Sequence, residues 1–308
     1  MRHSLRELLP GRRGPNELGL RFDDGRLGFL GEVLQRRADA LGLAPAACLV
    51  ALALDPREAW ALAEELTVGE TYFFRDGDQF RALAEIVLPD LQGRQPGRPV
   101  NILSAGCSSG EAAYTTAMLA DAACIDVAIR AVDLNPAVLR KAALGRYGGW
   151  SLRETPPAVQ QRWFAPQGRD MAVSSAIRRA VRFEQGNLVE PEGDIWLPRA
   201  YDVIFCRNVI MYFTPATRQA VVERIADALA PGGYLFLGHA ETLRGLSDAF
   251  TLVQAEGTFI YQRKPAGARR RRPSPGPTAI AGRRRRLRGA AGRRRSLRRD
   301  QPPAGAGS

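Results

Sequence analysis

The 308-residue chain lacks several patterns that would assign it to common protein classes. Its four cysteines lie far apart and form neither a Cys-x-x-Cys pair nor a His/Cys metal-ligand spacing, so we predict no metal site and a reducing compartment, the cytoplasm. No apolar run approaches the ~20 residues that a membrane-spanning helix requires, so we expect no membrane insertion. The N-terminus is polar and interrupted by Pro10, Gly11 and Pro15, which does not predict a signal peptide.

Lysine is almost absent, with Lys141 and Lys264 against 42 arginines. The net charge of +12 comes from residues 266–308, where fourteen arginines and Asp300 contribute +13 and leave −1 on residues 1–265. That near-neutral part does not resemble a basic nucleic-acid-binding domain, so we predict no nucleic-acid requirement. The Arg-rich segment 266–308 has little to bury, and we expect it to be disordered. A solvated tail and a contact with nucleic acid, acidic lipid or an acidic partner both stay open.

Residues 100–133 have the pattern of one β-loop-α-β unit. The apolar run Val100–Leu103 predicts a strand, a loop of small residues follows at 104–110, and a helix begins at Glu111. The second apolar run ends in Asp133. Ligands of open α/β sheets bind beyond the carboxyl ends of the strands, where a carboxylate can accept both hydroxyls of a ribose. The unit therefore predicts a nucleoside-cofactor site, with a ligand-free small-residue turn as the alternative.

The loop does not match a dinucleotide fingerprint, which needs glycines in a G-x-G-x-x-G pattern beside a helix N-terminus. Gly106 and Gly110 are four residues apart, and Glu111 at the mouth of the helix would repel a pyrophosphate. An acidic residue at this position suits a cationic ammonium, such as the methionine end of S-adenosylmethionine (SAM). We therefore predict SAM as the cofactor, which becomes S-adenosylhomocysteine as product.

The remaining pattern alternates strands and helices, which predicts a mainly parallel sheet covered on both faces. The expected fold is α/β, a Rossmann-like class I SAM-dependent methyltransferase with a closing antiparallel pair of strands. The predicted organisation is a helical N-terminal domain at 1–75, a methyltransferase domain at 76–265 with an inserted subdomain at 145–180, and the Arg-rich segment 266–308. The insertion has little core of its own and could carry a small hairpin.

Four stretches then match one family in chain order. They are TYFFRD at 71–76, GCSSGEAAY at 106–114, FCRNVIMYF at 205–213 and GHAE at 238–241. Together they resemble the CheR-type chemotaxis receptor methyltransferases, over roughly residues 18–263. The resemblance implies SAM-dependent O-methylation of glutamate side chains on the cytoplasmic helices of chemoreceptors, which yields glutamate methyl esters.

The resemblance also implies roles for residues at matching positions. Arg75 and Tyr212 are the catalytic candidates, because an arginine can orient a carboxylate and the tyrosine can orient the substrate. The implied cofactor contacts are Thr71 and Arg75 at the reacting end, Gly106 and Glu111 at the methionine end, Asp133 at the ribose, Asn187 and Leu188 beside the adenine, and Asn208 and Val209 along the methyl-transfer pocket.

Some positions depart from the family pattern. Gly69 stands where the family often has asparagine, and Ala112–Ala113 replaces a Glu-Pro pair. The short insertion does not predict tethering to a receptor's C-terminal pentapeptide, and we expect a monomer. A non-catalytic SAM-binding or scaffold module, and a methyltransferase for another acceptor, stay open as alternatives. An Asn-Pro-Pro-Tyr-like motif after the fourth strand would favour an amino nitrogen as the methyl acceptor. This chain has Arg207-Asn208-Val209-Ile210 at that position, which argues against such an acceptor.

Several candidates also have purely structural interpretations. Phe73–Phe74 is expected to pack in the core. Arg75 could form an ion pair with Asp76 or Asp78 rather than contact a ligand. Asp133 could instead cap the helix that follows it.

Overall fold

The computed structural model describes residues 27–55, 58, 61–62, 65, 70–191 and 194–265. The predictions for residues 1–20, Gly69 and the Arg-rich segment 266–308 lie outside the described residues. The described chain forms N-terminal helices, a seven-stranded sheet with helices on both faces, and a small three-stranded sheet. In these ranges, none of the helices combines the length and the apolar character needed to cross a bilayer.

Two helices, α1 (Leu27–Leu41) and α2 (Pro45–Leu54), begin the described chain. Helix α1 buries one apolar stripe, formed by Leu30, Val33, Leu34 and Ala38. Arg36 donates to Glu65 at 3.1 Å, and Arg37 pairs with Glu58. Both guanidinium groups are therefore matched by carboxylates of the chain itself, Arg36 in an exposed position and Arg37 in a largely buried one.

The helix that precedes the main sheet is interrupted by one π-helical turn. Helix α3 (Gly77–Ala82) runs into a π-turn at Leu83–Val87 and continues as α4 (Leu88–Arg94). Pro89 lies in the first turn of α4, has no N–H to donate, and would clash with the carbonyl four residues earlier. The wider π-turn accommodates the proline without ending the helix.

The main sheet has the strand order β6-β2-β1-β7-β8-β10-β9. All pairs from β6 to β8 are parallel, whereas β10 is antiparallel to both β8 and β9. The strands are β1 (Val100–Ala105), β2 (Val127–Asp133), β6 (Val181–Gln185), β7 (Tyr201–Cys206), β8 (Leu229–Leu237), β9 (Phe250–Ala255) and β10 (Thr258–Arg263). The mainly parallel sheet and the closing antiparallel pair confirm the predicted fold.

Alternate residues of the central strands pack into two cores, one on each face of the sheet. Ile102 belongs to the core under α5 (Glu111–Ala122), α6 (Pro136–Leu144) and α8 (Ser175–Arg179). Its neighbour Leu103 belongs to the opposite core under α9 (Pro215–Ala228). Burial of both faces is what a parallel sheet with crossover helices requires.

Strand β8 continues through a Pro-Gly-Gly sequence. Pro231, Gly232 and Gly233 lie inside it, although such residues usually mark a turn. The pairing with β7 shifts between Tyr201 and Val203, so the extra residues form a bulge rather than ending the strand. A Cβ on Gly233 would lie 2.8 Å from the carbonyl oxygen of Asp202, which explains glycine at this crowded position.

The segment after α6 forms a second, antiparallel sheet of order β3-β5-β4, which contains the predicted hairpin. Its elements are β3 (Arg146–Tyr147), a 3-10 turn (Gly149–Leu152), α7 (Pro157–Trp163), β4 (Phe164–Gln167) and β5 (Asp170–Val173). Tyr147 and Phe164 contact Phe73 edge-to-face at centroid distances of 4.8 and 5.0 Å. The small sheet therefore packs into the main core and onto the 71–76 segment.

Candidate functional site

The loop between β1 and α5 is shaped by two glycines with positive φ. Gly106 has φ +72°, and a Cβ there would lie 2.5 Å from Cγ2 of Val209. Gly110 has φ +90°, and a Cβ there would lie 2.8 Å from the ring of Phe183. Glycine is therefore required at both positions by conformation and by space. The close approach also brings two predicted site residues, Gly106 and Val209, into contact.

Asp133, at the carboxyl end of β2, holds this loop. Its Oδ2 accepts the backbone N–H of Ser108 at 2.7 Å, and its Oδ1 accepts that of Asn135 at 2.9 Å. Burial raises the pKa of Asp133, against the opposing effect of these N–H donors. Asn135 is the N-cap of α6 and accepts the N–H of Ala137 at 2.8 Å. Asp133 is therefore not the helix cap, and its carboxylate lies at the tip of the strand.

Glu111, the first residue of α5, is fully buried, with 0 % of its surface exposed. Its carboxylate accepts the hydroxyls of Ser109 at 2.9 and 3.0 Å and of Ser151 at 3.2 Å. Among the described residues no lysine or arginine forms a salt bridge with it. Burial of a carboxylate costs free energy unless a cation lies nearby. Glu111 and its serine donors therefore fit a ligand that carries a cationic group. Burial and then the charge of Glu111 raise the pKa of the neighbouring Tyr147.

Asn187 and Leu188 follow β6 and lie beside Asp133. The N–H of Gly186 donates to the Asp133 carbonyl oxygen at 3.0 Å, which fixes the turn that leads into them. The Oδ1 of Asn187 accepts the N–H of Val189 at 3.0 Å, and Leu188 is buried in the α9-side core. The two predicted adenine contacts are therefore held at the same sheet edge as the predicted ribose contact.

A single carboxylate organises the turn after β7. Glu241 accepts the backbone N–H groups of Asn208 (2.7 Å), Gly238 (2.8 Å), Val209 (2.9 Å) and Met211 (3.1 Å). Asn208 has φ +57°, in the left-handed region that costs most residues energy. The sequence analysis did not assign Glu241 to the site, although it lies in the GHAE motif. The four donors identify it as the residue that holds Asn208 and Val209.

Tyr212 lies in the 3-10 turn Ile210–Tyr212, directly after these residues. Its N–H donates to the Val209 carbonyl oxygen at 3.1 Å, and its side chain is half-buried. The position of Tyr212 is thus set by the same turn that holds Asn208.

The 71–76 segment begins at Thr71, which is half-buried. The N–H of Phe73 donates to the Ser151 carbonyl oxygen at 2.9 Å, and Phe73 is fully buried, as predicted for a packing residue. The Nη1 of Arg75 donates to the Glu70 carbonyl oxygen. Ion pairing of Arg75 with Asp76 or Asp78 is absent from the described residues. The Arg75 guanidinium group is therefore not neutralised by a described carboxylate.

Asp76 instead pairs with Arg207, a second residue that the sequence analysis left unassigned. The Nη2 of Arg207 donates to the Arg75 carbonyl oxygen at 2.6 Å and to the Asp76 carboxylate. The Arg207 side chain is only 8 % exposed and lies 5.3 Å from the Phe80 ring centroid, and burial lowers the pKa of Arg207. His239 contacts the other Asp76 oxygen at 3.2 Å. Arg207 thus ties the 71–76 segment to the end of β7.

The predicted site residues Gly106, Glu111, Asp133, Asn187, Leu188, Asn208, Val209 and Tyr212 follow the carboxyl ends of β1, β2, β6 and β7. Arg75 is tied to the end of β7 through Arg207, and no described contact places the Thr71 side chain among these residues. From β1 the chain adds β2 and β6 on one side of the sheet and then β7 and β8 on the other, so the strand order reverses at β1. Open α/β sheets bind their ligands at such a topological switch point. The glycine loop and the buried Glu111 fit SAM. Fold and site together define a class I SAM-dependent methyltransferase.

Comparison with known proteins places the chain more closely. The family model for the CheR methyltransferase SAM-binding domain matches residues 69–259. The chain is 36% identical over 216 residues to chemotaxis protein methyltransferase 2 of Vibrio cholerae, a match that covers 68% of this chain and 75% of that protein. The chain belongs to the CheR methyltransferase family.

Two further similarities extend this comparison. The chain is 34% identical over 254 residues to the probable biofilm formation methyltransferase WspC of Pseudomonas aeruginosa, which covers 80% of this chain and 58% of that protein. A solved structure from Methanococcus maripaludis, titled a putative S-adenosyl-L-methionine-dependent methyltransferase, has 11% identity and a TM-score of 0.34, over 65% of this chain and 97% of the other.

Proposed function

We propose that the protein methylates glutamate side-chain carboxylates on the cytoplasmic helices of chemoreceptors and forms glutamate methyl esters. The chain is a SAM-dependent methyltransferase of a family whose similar members include chemotaxis protein methyltransferases. What we propose beyond this is the acceptor group, the receptor partners and the location of the reaction in the cytoplasm.

The observation that carries the proposal is the state of Arg75. Its guanidinium group is bound to a backbone carbonyl oxygen, that of Glu70, and no described carboxylate forms a salt bridge with it. The group is half-buried and lies next to the buried, positively charged Arg207. An arginine without a carboxylate partner can orient an incoming carboxylate through two parallel hydrogen bonds. A glutamate acceptor supplies that carboxylate.

The reaction needs the acceptor carboxylate to be positioned and does not need a general base. A glutamate carboxylate is already ionised at neutral pH, so no proton has to be removed before it attacks. When bound, SAM supplies a methyl group activated on a sulfonium sulfur. Asp133, Glu111, Asn187–Leu188 and Asn208–Val209 would hold it.

The remaining task belongs to the acceptor side of the site. Arg75 and Tyr212 would orient the acceptor carboxylate toward the methyl group, and the enclosing loops would exclude water. Arg75 must hold the carboxylate without quenching its nucleophilic oxygen, which favours a partly solvated arginine over a buried one.

The WspC similarity favours a second candidate within the same chemistry. The match to WspC covers more of this chain than the match to chemotaxis protein methyltransferase 2 does. The acceptor would then be a receptor of another signalling system rather than of chemotaxis. The residues in the site and the reaction would be unchanged.

The deciding experiment incubates the full chain with methyl-tritiated SAM and the cytoplasmic fragment of a chemoreceptor. We expect label on the fragment that is released as methanol by mild base, because methyl esters hydrolyse under those conditions. The label should disappear when the acceptor glutamates are replaced by alanine. Base-stable label would mean a different acceptor atom, and SAM binding without any transfer would support the scaffold alternative. Calorimetric titration with SAM and S-adenosylhomocysteine shows whether the protein binds the cofactor at all. It thereby distinguishes a lack of transfer by a cofactor-binding protein from a lack of cofactor binding.

A further inference from the structure

Tyr72, Arg153 and Trp150 form one continuous cation–aromatic stack, called here the Trp150 stack. The guanidinium carbon of Arg153 lies 3.5 Å from the Tyr72 ring centroid and 4.0 Å from that of Trp150. Arg153 also donates to the Trp150 carbonyl oxygen at 2.8 Å. The outer ring, Trp150, is 71 % exposed, which is the largest exposure of any described large hydrophobic side chain. The fold therefore holds a tryptophan in the solvent in one fixed arrangement.

The Trp150 stack is built onto the wall of the candidate site. Its inner ring, Tyr72, belongs to the 71–76 segment, and the Arg75 guanidinium carbon lies 5.8 Å from that ring centroid. Ser151, the residue after Trp150, accepts the N–H of Phe73 and donates its hydroxyl to Glu111. The same short turn thus contacts the buried end of the site on one side and carries an exposed aromatic on the other.

The charges of the Trp150 stack are balanced. Glu70 lies 3.8 Å from Arg153. Burial and then the Glu154 carboxylate raise the pKa of Tyr72, against the opposing charges of Arg75 and Arg153, so two arginines face two carboxylates. A balanced aromatic and guanidinium surface does not suit a polyanion, whose binding depends on an excess of positive charge. It suits the side of a helix on which apolar side chains surround a single carboxylate.

We propose that the Trp150 stack is the docking surface for the receptor helix segment that flanks the methylated glutamate. This inference rests on the proposed function and names where its substrate binds. Tryptophan, tyrosine and arginine are the residues that most often dominate binding energy at protein interfaces. Because the three side chains are already stacked, little conformational entropy is lost when a partner covers them. A helix seated on Trp150 would present its glutamate toward Arg75.

The test compares Trp150→Ala with Trp150→Phe and with Phe259→Ala in the full chain. Phe259 is a matched control, because it is 55 % exposed on the β9–β10 hairpin. We expect Trp150→Ala to raise the KM for a receptor cytoplasmic fragment about tenfold or more. The kcat at saturating receptor and the SAM dissociation constant should stay within about twofold, since truncation of an interface side chain mainly weakens association. Trp150→Phe should recover most of the loss, and Phe259→Ala should match the wild type.

Calorimetric binding of the receptor fragment to the protein saturated with S-adenosylhomocysteine gives a readout without turnover. Equal affinities of Trp150→Ala and Phe259→Ala for the fragment would overturn the docking inference. A parallel loss of SAM affinity in Trp150→Ala would also overturn it, because the tryptophan would then act on the cofactor site. Wild-type protein that binds the fragment through Trp150 but forms no base-labile ester would contradict the proposed function alone.

Discussion

The carboxylate of Glu241 accepts the backbone N–H of Asn208 at 2.7 Å, across 33 residues of sequence, and accepts three further N–H groups of the same turns. A carboxylate offers enough lone pairs for four donors, whereas a glutamine offers one oxygen and turns an NH2 group toward the remaining N–H groups. Glu241→Gln should therefore lower the free energy of unfolding by about 2–4 kcal/mol, since hydrogen bonds to charged groups are strong and their loss leaves donors unpaired.

Urea unfolding of the ligand-free protein measures this loss, and Glu256→Gln is its control. Glu256 is exposed in the turn between β9 and β10, where the same substitution should change stability by less than about 0.5 kcal/mol. Equal stability of the two variants would show that the four donors are satisfied without Glu241.

Gly106→Ala tests the close contact between the β1 loop and Val209. The alanine Cβ would lie 2.5 Å from Cγ2 of Val209 and would also keep a φ of +72°. Gly168→Ala has nearly the same backbone strain, with φ +66°, but no atom within 4 Å of the new Cβ.

The loss of stability in the two glycine variants should therefore differ only by the cost of the clash between the new Cβ and Val209. We expect Gly168→Ala to cost about 1 kcal/mol of stability and Gly106→Ala about 2–4 kcal/mol. Only Gly106→Ala should also weaken SAM binding in calorimetry. Similar values for both would mean that Val209 moves aside and that the contact does not shape the site.

Local sequence pattern was sufficient to predict the first β-loop-α-β unit. Strand β1, the glycine loop and Asp133 follow one another within 34 residues, and each is specified by its own residue types. Helix α6 was predictable in the same way, because Asn135 caps it and Gly145 follows it in a left-handed conformation.

The parts that sequence reasoning missed depend on contacts between distant residues. Glu241 and Arg207 were both visible in matched motifs, but the site-forming partners Asn208 and Asp76 lie 33 and 131 residues away from them, so no local pattern reveals their roles. The length of strand β8 also depends on contacts between distant residues. Its Pro-Gly-Gly sequence predicts a turn, and only pairing with β7 and β10 keeps it extended. Thr71, Arg75 and Tyr212 were assigned from the resemblance, and their catalytic roles stay predictions.

Asp133 should make SAM binding depend on pH. Burial raises its pKa above the ordinary value of 3.8, so the folded protein takes up this proton at a higher pH than the unfolded chain does. Ligand-free stability therefore loses a contribution as pH rises from 3.8 through the raised pKa, whereas ribose binding gains the ionised acceptor over the same interval. SAM affinity should fall on acidification before an ordinary aspartate would titrate.

Asp133→Asn is the matched variant, because it keeps the shape and removes the charge. At pH 7 it should bind SAM about 10–100-fold more weakly, as expected for hydrogen bonds to an ionised acceptor. Calorimetry between pH 7 and pH 4.5 should show the ratio of wild-type to variant affinity shrinking as the wild-type carboxylate is protonated. A constant ratio would mean that the ionised form of Asp133 has no special role.

Arg207→Met should release the 71–76 segment from the end of β7. It leaves Asp76 with His239 as its remaining described side-chain contact, and breaking a largely buried ion pair costs about 3–5 kcal/mol. The double variant with Asp76→Asn should recover part of this loss, because no unpaired carboxylate is then left behind. Arg81→Met is the control, since its pair with Asp78 is exposed and should contribute less than about 1 kcal/mol. Strictly additive losses in the double variant would show that the two side chains do not stabilise each other.

Arg75→Ala separates transfer from cofactor binding. If Arg75 orients the acceptor carboxylate, the variant should lose about 100-fold or more in kcat toward the receptor fragment, because misplacement of the nucleophile by about 1 Å costs that much. Its SAM dissociation constant should change by only a few fold, because Asp133 and Glu111 are untouched. Arg75→Lys should recover little, since a lysine keeps the charge but not the two parallel donors. Equal losses in kcat and SAM affinity would assign Arg75 to the cofactor alone, and the acceptor carboxylate would then need another partner in the site.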